Sequence, residues 1–193
     1  MEGMLMSKSL LVFSLLALMI FPAIGQGQET PKLELFGGYS YMRADDVSNG
    51  ANMNGWNGSI TGNTNSWFGV TLDLSGHYRN IDGLPFARAV VNTHILAVGP
   101  QIAVRGSERV RPFAHFLFGV GRSGFRSQTI SGSFNGVHYS MLGVFGGGVD
   151  LKIGDGLAFR MVQGDYILTH FAGRLEHQLR FSTGVVIRGG ALR

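Results

Sequence analysis

Between positions 66 and 79 the chain reads SWFGVTLDLSGHYR, and its even and odd positions are suited to different solvents. Phe68, Val70, Leu72, Leu74 and Tyr78 share one parity, interrupted by Gly76. Trp67, Gly69, Thr71, Asp73, Ser75, His77 and Arg79 share the other. Side chains on a β-strand alternate between its two faces, so the spacing predicts a long strand with one apolar and one polar side. What the chain can fold into depends on which side meets solvent.

The start of the chain bears on that choice. Lys8 precedes an apolar run over residues 10–21 broken only by Ser14, and Ala23-Ile24-Gly25 supplies a small-x-small pattern. This is the layout of a secretory signal with cleavage between Gly25 and Gln26, and the run is well short of the ~20 residues a spanning helix needs. Residues 1–25 are therefore expected to be a signal peptide and residues 26–193 the mature domain. Cysteine is absent, which excludes disulfides and thiol chemistry. The formal charge of +4 comes from scattered basic residues, without the stripe or patch that nucleic acid requires. No nucleic-acid partner is expected. The 30 glycines among 193 residues are roughly double the ordinary share of ~7%. They lie inside apolar segments, as in tightly curved sheet.

The mature chain reads as about eight strands. In the first, Leu33, Leu35, Gly37, Tyr39 and Tyr41 oppose Glu34, Phe36, Gly38, Ser40 and Met42, and a polar loop over residues 44–53 follows. The second sets Trp56, Gly58 and Ile60 against Asn57, Ser59 and Thr61, although Asn54-Gly55 and Asn57-Gly58 are competing turn signals. The third is the strand described above, followed by a loop over residues 80–86. The fourth, residues 90–104, contains Pro100, which has no ladder donor, and a bulge is expected at Gly99-Pro100. The fifth sets Ala114, Phe116, Phe118 and Val120 against Phe113, His115, Leu117, Gly119 and Gly121, and residues 122–136 read as a longer polar loop. In the sixth, Tyr139, Met141, Phe145, Val149 and Leu151 oppose Ser140, Leu142, Val144, Gly146, Gly148 and Asp150. The seventh changes phase between Met161 and Tyr166, and a bulge near Val162-Gln163 would place both Arg160 and Asp165 inside. The eighth sets Leu175, Leu179, Phe181, Val185 and Ile187 against Glu176, Gln178, Arg180, Ser182 and Gly184.

Long connections after strands one, three and five alternate with short ones after two, four and six, as in a transmembrane barrel. A water-soluble barrel has an oily interior, whereas a barrel in lipid turns its apolar face outward and its polar face inward. The polar faces carry Glu34, Asp73, Arg105, Arg160, Asp165, Glu176 and Arg180, both signs in similar number, suited to pairing across a narrow lumen. Arg160, Asp165, Glu176 and Arg180 are expected to neutralise one another across strands seven and eight. On the apolar faces Tyr41, Trp56, Tyr78, Tyr139 and Tyr166 fall near strand ends, where a membrane barrel carries its aromatic girdles. The fold expected is all-β: an eight-stranded antiparallel up-and-down transmembrane β-barrel.

The segments LELFGGYSYMR, NGWNGSITGNTNSWFGVTLDLSGHY, RVRPFAHFLFGVGR, FGGGVDLKIGDGLAFRMVQGDYILTHF and LRFSTGVVIR resemble the small OmpA-like, or porin-family, outer-membrane β-barrel proteins. The resemblance extends over the mature chain and is specific for fold and compartment rather than for activity. It implies export through the periplasm and residence among the lipids of the cell outer membrane. It also implies insertion by the β-barrel assembly machinery, which reads the last strand. Phe181, Val185 and Ile187 supply that strand's alternation, though the chain ends on Arg193 rather than on Phe. The peptidoglycan-binding role of long OmpA-type proteins is not implied.

Signals for chemistry are sparse. Gly119-x-Gly121-x-x-Gly124 matches a dinucleotide fingerprint by letter, but a polar, glycine-broken segment follows where a helix should start. His77, His115, His170 and His177 lack metal-ligand spacing. Ser75 and His77 lie two apart on one strand, roughly 6 to 7 Å along it, too far for a nucleophile–base pair. No catalytic residue, cofactor or metal is expected. The function expected is non-enzymatic, structural or through surface loops. The alternative is a narrow channel or carrier for small solutes, and a lipid-modifying enzyme stands third.

Overall fold

The computed structural model describes residues 30–44, 51–84, 87–105, 107, 109–129, 132–171 and 174–192. The expected signal peptide and the tip of the first loop lie outside the described residues. The rest forms β1 (Thr30–Ala44), β2 (Ala51–Asn63), β3 (Phe68–Leu84), β4 (Ala87–Ala103), β5 (Val110–Thr129), β6 (Gly132–Gly154), β7 (Leu157–Phe171) and β8 (Arg174–Leu192). Each strand pairs antiparallel with its sequence neighbour, and β1 pairs with β8 to close the barrel. Closure removes the unpaired edges that an open sheet would expose.

The alternation sorts the side chains as the two parities require. Leu33, Leu35, Val70, Leu72, Leu74, Phe118, Phe145, Phe181 and Ile187 are exposed on the outer wall. Glu34, Asn57, Asp73, Arg160, Asp165 and Arg180 are buried inside. This is the inverse of a soluble barrel. Part of the interior is apolar all the same: Met42, Met53, Ile95, Ala97, Leu117, Leu142, Val144 and Ile167 form one buried cluster.

Four details of register depart from the sequence reading or complete it. The segment with competing turn signals is a strand throughout, because Trp56, Gly58 and Ile60 pair in step with both β1 and β3. Near Pro100 no bulge forms. Pairing with β5 lapses at Gly99 and Pro100 and resumes in the same register at Gln101↔His115, while Pro100 stays opposite Val70 on β3. The missing donor is thus absorbed by a local gap in one ladder. In β7 a bulge does form, with register shifting between Arg160 and Gln163. Met161 and Val162 both point outward there, and Arg160, Gln163 and Asp165 all point inward.

The fourth detail concerns the polar loops. Residues 80–84 and 122–129 continue as paired strand, as do residues 132–136. β5 and β6 reach 20 and 23 residues, about twice the ~9–11 that a tilted strand needs to cross a bilayer. Polarity in these segments reports the solvent around them. Inter-strand hydrogen bonding continues regardless, since it is made by backbone.

Candidate functional site

Among the described residues, the ionisable groups converge in the lumen. Alternating positions of β1, β2, β3, β5, β6, β7 and β8 send side chains to a common axis, and the curvature of a small barrel brings opposite walls within reach. At its middle lies Arg180, fully buried. Its Nη1 donates to Asp73 Oδ1 at 2.8 Å and to Ser75 Oγ at 2.9 Å, and its Nε donates to Asp165 Oδ2 at 2.8 Å. Asn57 Nδ2 donates to the other oxygen of Asp73, and His115 Nε2 lies 2.8 Å from the other oxygen of Asp165. One guanidinium therefore ties β8 to β3 across the barrel and to β7 alongside.

A second cluster lies toward the rim that carries the short turns. Asp150 accepts from Arg160 Nε at 2.8 Å and from Arg188 Nη2 at 3.0 Å. Arg188 Nε reaches Glu34 Oε2 at 3.1 Å, and the other oxygen of Glu34 accepts from Arg105 Nη2 and Asn63 Nδ2. Arg105 also donates to the Ser66 carbonyl, joining the network to the β2–β3 turn. The Arg160 guanidinium sits 4.2 Å from the ring centroids of both Phe36 and Phe113, a cation–π sandwich inside the wall. Gln163 links the clusters, accepting from Arg160 Nη1 at 2.6 Å and donating to Asp165 Oδ2 at 2.8 Å.

Four carboxylates, of Glu34, Asp73, Asp150 and Asp165, thus face the guanidiniums of Arg105, Arg160, Arg180 and Arg188. Opposite charges at these distances offset the cost of holding charge away from bulk water. Two glycines make room. A Cβ on Gly146 would collide with the Asp165 carboxylate, and one on Gly148 would come 2.9 Å from the Phe113 ring. This is the packing use of the Gly146-Gly147-Gly148 run. Gly119, Gly121 and Gly124 lie within β5 with no helix after them, so the fingerprint spacing has no structural counterpart.

Of the residues singled out in the sequence, Glu34, Asp73, Arg105, Arg160, Asp165 and Arg180 stand in this network. Glu176 does not. It is half-buried on the inward parity opposite Thr169, nearer the long-loop rim, and no ion pair joins it to another described residue. Arg160 also departs from the expected pairing, taking Asp150 and reaching Asp165 only through Gln163. Arg188 was missed, although the inward parity of Arg180, Ser182, Gly184 and Val186 runs on to it. The apolar alternation of the eighth strand closes at Ile187, one residue short of it.

His77 Nε2 lies 2.9 Å from Ser40 Oγ, which accepts from Ser182 Oγ at 3.0 Å. Asp73 is bound to Arg180 and Asn57, and Ser75 to Arg180. His177 is exposed on the outer face, with its Nδ1 against the Tyr166 hydroxyl. Among the described residues no group of three His, Asp or Glu side chains is placed to hold a metal. Trp56, Tyr78, Tyr139 and Tyr166 are exposed on the outer wall and Tyr41 is half-exposed. Trp67 is exposed too, in the β2–β3 turn rather than on the polar face of β3.

A closed eight-stranded antiparallel barrel, apolar outside and ionic within, is the architecture of the small outer-membrane β-barrels. Solved structures with this fold include Ail, the attachment invasion locus protein of Yersinia pestis, at 15% identity and TM-score 0.62, covering 81% of this chain and 99% of Ail. Neisserial surface protein A matches at 11% identity and TM-score 0.60, covering 84% and 99%. The outer membrane protein OprG of Pseudomonas aeruginosa matches at 12% and 0.52, covering 86% and 99%. No protein-family model and no curated protein sequence matches the chain.

Proposed function

We propose that the chain is an integral protein of the cell outer membrane, non-enzymatic, whose sealed lumen stiffens the barrel while its extended strands present a surface outside. The observation that carries this reading is the filled interior. Arg180, Met42, Leu117, Ile167, His77, Val144, Asp73 and Asp165 all have essentially no accessible surface, so no water-sized path runs beside them. An ionic tier and an apolar tier close the same axis in series.

Placement in lipid is supported by the outer wall. On β3 its apolar positions run from Phe68 to Tyr78, close to the ~9–11 residues that span a bilayer at a tilt. No helix among the described residues is long and apolar enough to cross a membrane, and in this reading the strands make the crossing. Export through the periplasm and insertion by the assembly machinery belong to the same reading. The surface role is supported by β5 and β6, which stand well beyond that span, and by Ail and Neisserial surface protein A, whose names place them in attachment and at a cell surface.

Fractionation tests the placement. The protein is expected in the outer-membrane fraction, resistant to carbonate extraction, with an electrophoretic mobility that shifts on boiling. Release by carbonate, or mobility indifferent to boiling, would contradict it.

A further inference from the structure

Closure of the barrel holds only as far as the shorter strands reach. β7 turns into β8 at Phe171↔Arg174 and its pairing with β6 begins at Met141↔His170, whereas β6 starts at Gly132 and pairs with β5 from there on. The pairing of β2 with β3 likewise ends at Asn54↔Tyr78, while β3 continues to Leu84. Beyond the girdle, β3 to β6 therefore stand as an open four-stranded sheet, with two edges among the described residues. The edges are built differently. Natural sheets shield their edges with charges, prolines or bulges, and that of β3 carries Arg79 and Asp82 and an irregular register between Ile81 and Leu84. That of β6, residues 132–140, holds no Asp, Glu, Lys, Arg or Pro, and its register with β5 is unbroken.

The backbone groups of that edge can be assigned to sides. Lys152 N donates to the Arg109 carbonyl on the β5 side, and successive residues of an antiparallel strand bond to opposite neighbours. Even-numbered residues of β6 thus bond to β5. Ser133, Asn135 and Val137, all exposed, direct N–H and C=O to the open side, where no described strand pairs with them. The outer face beside the edge also has a sign. Arg126 Nε donates to Asn135 Oδ1 at 3.2 Å, which lays the guanidinium over β6, within reach of a strand added about 4.8 Å further on. By sequence the protruding stretches hold Arg79, Arg88, Arg122 and Arg126 against one carboxylate, Asp82. We propose that the open edge of β6 docks an extended acidic peptide segment of an external protein, which adds as a strand antiparallel to residues 133–137 and sets a carboxylate beside Arg126. In such docking main-chain bonds supply affinity and alternate side chains supply selectivity. The edge of a second copy would bring Arg126 no carboxylate, so charge favours a foreign segment.

The inference names a partner class for the surface role proposed above and rests on that role. The test uses the full mature chain refolded into phosphatidylcholine nanodiscs and a fluorescent nine-residue peptide alternating Thr and Glu, followed by anisotropy. Wild type is expected to bind this peptide saturably. It should bind the Thr/Lys counterpart, or the Thr/Glu peptide N-methylated at its glutamates, about tenfold more weakly, the scale of losing one or two hydrogen bonds. Val137→Pro removes an open-side donor and leaves the β5 ladder intact; it should keep its boiling shift and lose binding to a similar degree. Arg126→Gln should narrow the gap between the Glu and Lys peptides. Undiminished binding of the methylated peptide, or by Val137→Pro, would overturn the edge, and equal binding of the Glu and Lys peptides would overturn the acidic partner. A wild type that dimerises, and turns monomeric with Val137→Pro, would give the edge to a second copy and overturn the peptide. Absence of binding by a boiling-shifted wild type overturns the inference alone, whereas a wild type that fails to enter nanodiscs overturns the membrane placement beneath it.

Discussion

Arg180 is the residue on which most of the interior depends, because two carboxylates from different walls share its guanidinium. Arg180→Ala leaves Asp73 and Asp165 buried without their cation, a change that costs about 3–5 kcal/mol in buried pairs. Leu179, its neighbour, is exposed on the outer wall, and Leu179→Ile conserves volume at a cost under ~1.5 kcal/mol. Thermal unfolding of the refolded protein should therefore show a large fall in Tm for the first and a small one for the second. Equal Tm values would remove Arg180 from the centre. Glu176→Gln should leave Tm unchanged, since Glu176 has no ion pair with a described residue to break. The exposed turn pair Lys152–Asp155, 2.9 Å apart, should behave the same way: Asp155→Ala removes a contact that water already screens.

Among the elements, β7 shows how one residue sets a whole face. The bulge at Met161 and Val162 lets Arg160 and Asp165, which have opposite outlooks in a regular strand, both reach the lumen. Deleting Val162 removes the extra residue, and a one-residue slip sends one half of the strand to the wrong face. That variant should fail to give a boiling-shifted band, and a wild-type shift would show the bulge to be dispensable. This feature was legible because Tyr166 and Leu168 lie off the parity of Leu157 and Phe159. The extent of β5 and β6 was not legible. Above the girdle both faces meet water, so residues 122–136 lose the alternation that marks a half-buried strand while keeping its hydrogen bonds. Hydrogen exchange separates the two readings: amides of 122–127, 134 and 136 should be protected like strand, and exchange at loop rates would contradict their pairing. The candidate site was readable in part for a related reason. Parity shows which charges enter the lumen, but which charge meets which depends on the curvature that brings β3 against β8, a distance no local pattern encodes. Arg160 accordingly finds Asp150, and Glu176 stays outside the network.

For the molecule as a whole, the interior divides into tiers along one axis. Near the short-turn rim the charges of Glu34, Asp150, Arg160 and Arg188 interlock; next come Asp73, Asp165 and Arg180, and then the cluster around Leu117, Val144 and Ile167. A small solute would have to displace paired charges and then cross an apolar constriction, and each step alone costs several kcal/mol. A barrel of about eight strands has just enough interior for its own side chains, and here they use it. The measurement that tests this most directly is conductance of the refolded protein in a planar lipid bilayer. The wild-type barrel should insert and remain silent under an applied potential, whereas stable unitary current steps would contradict the sealed lumen and make the chain a channel.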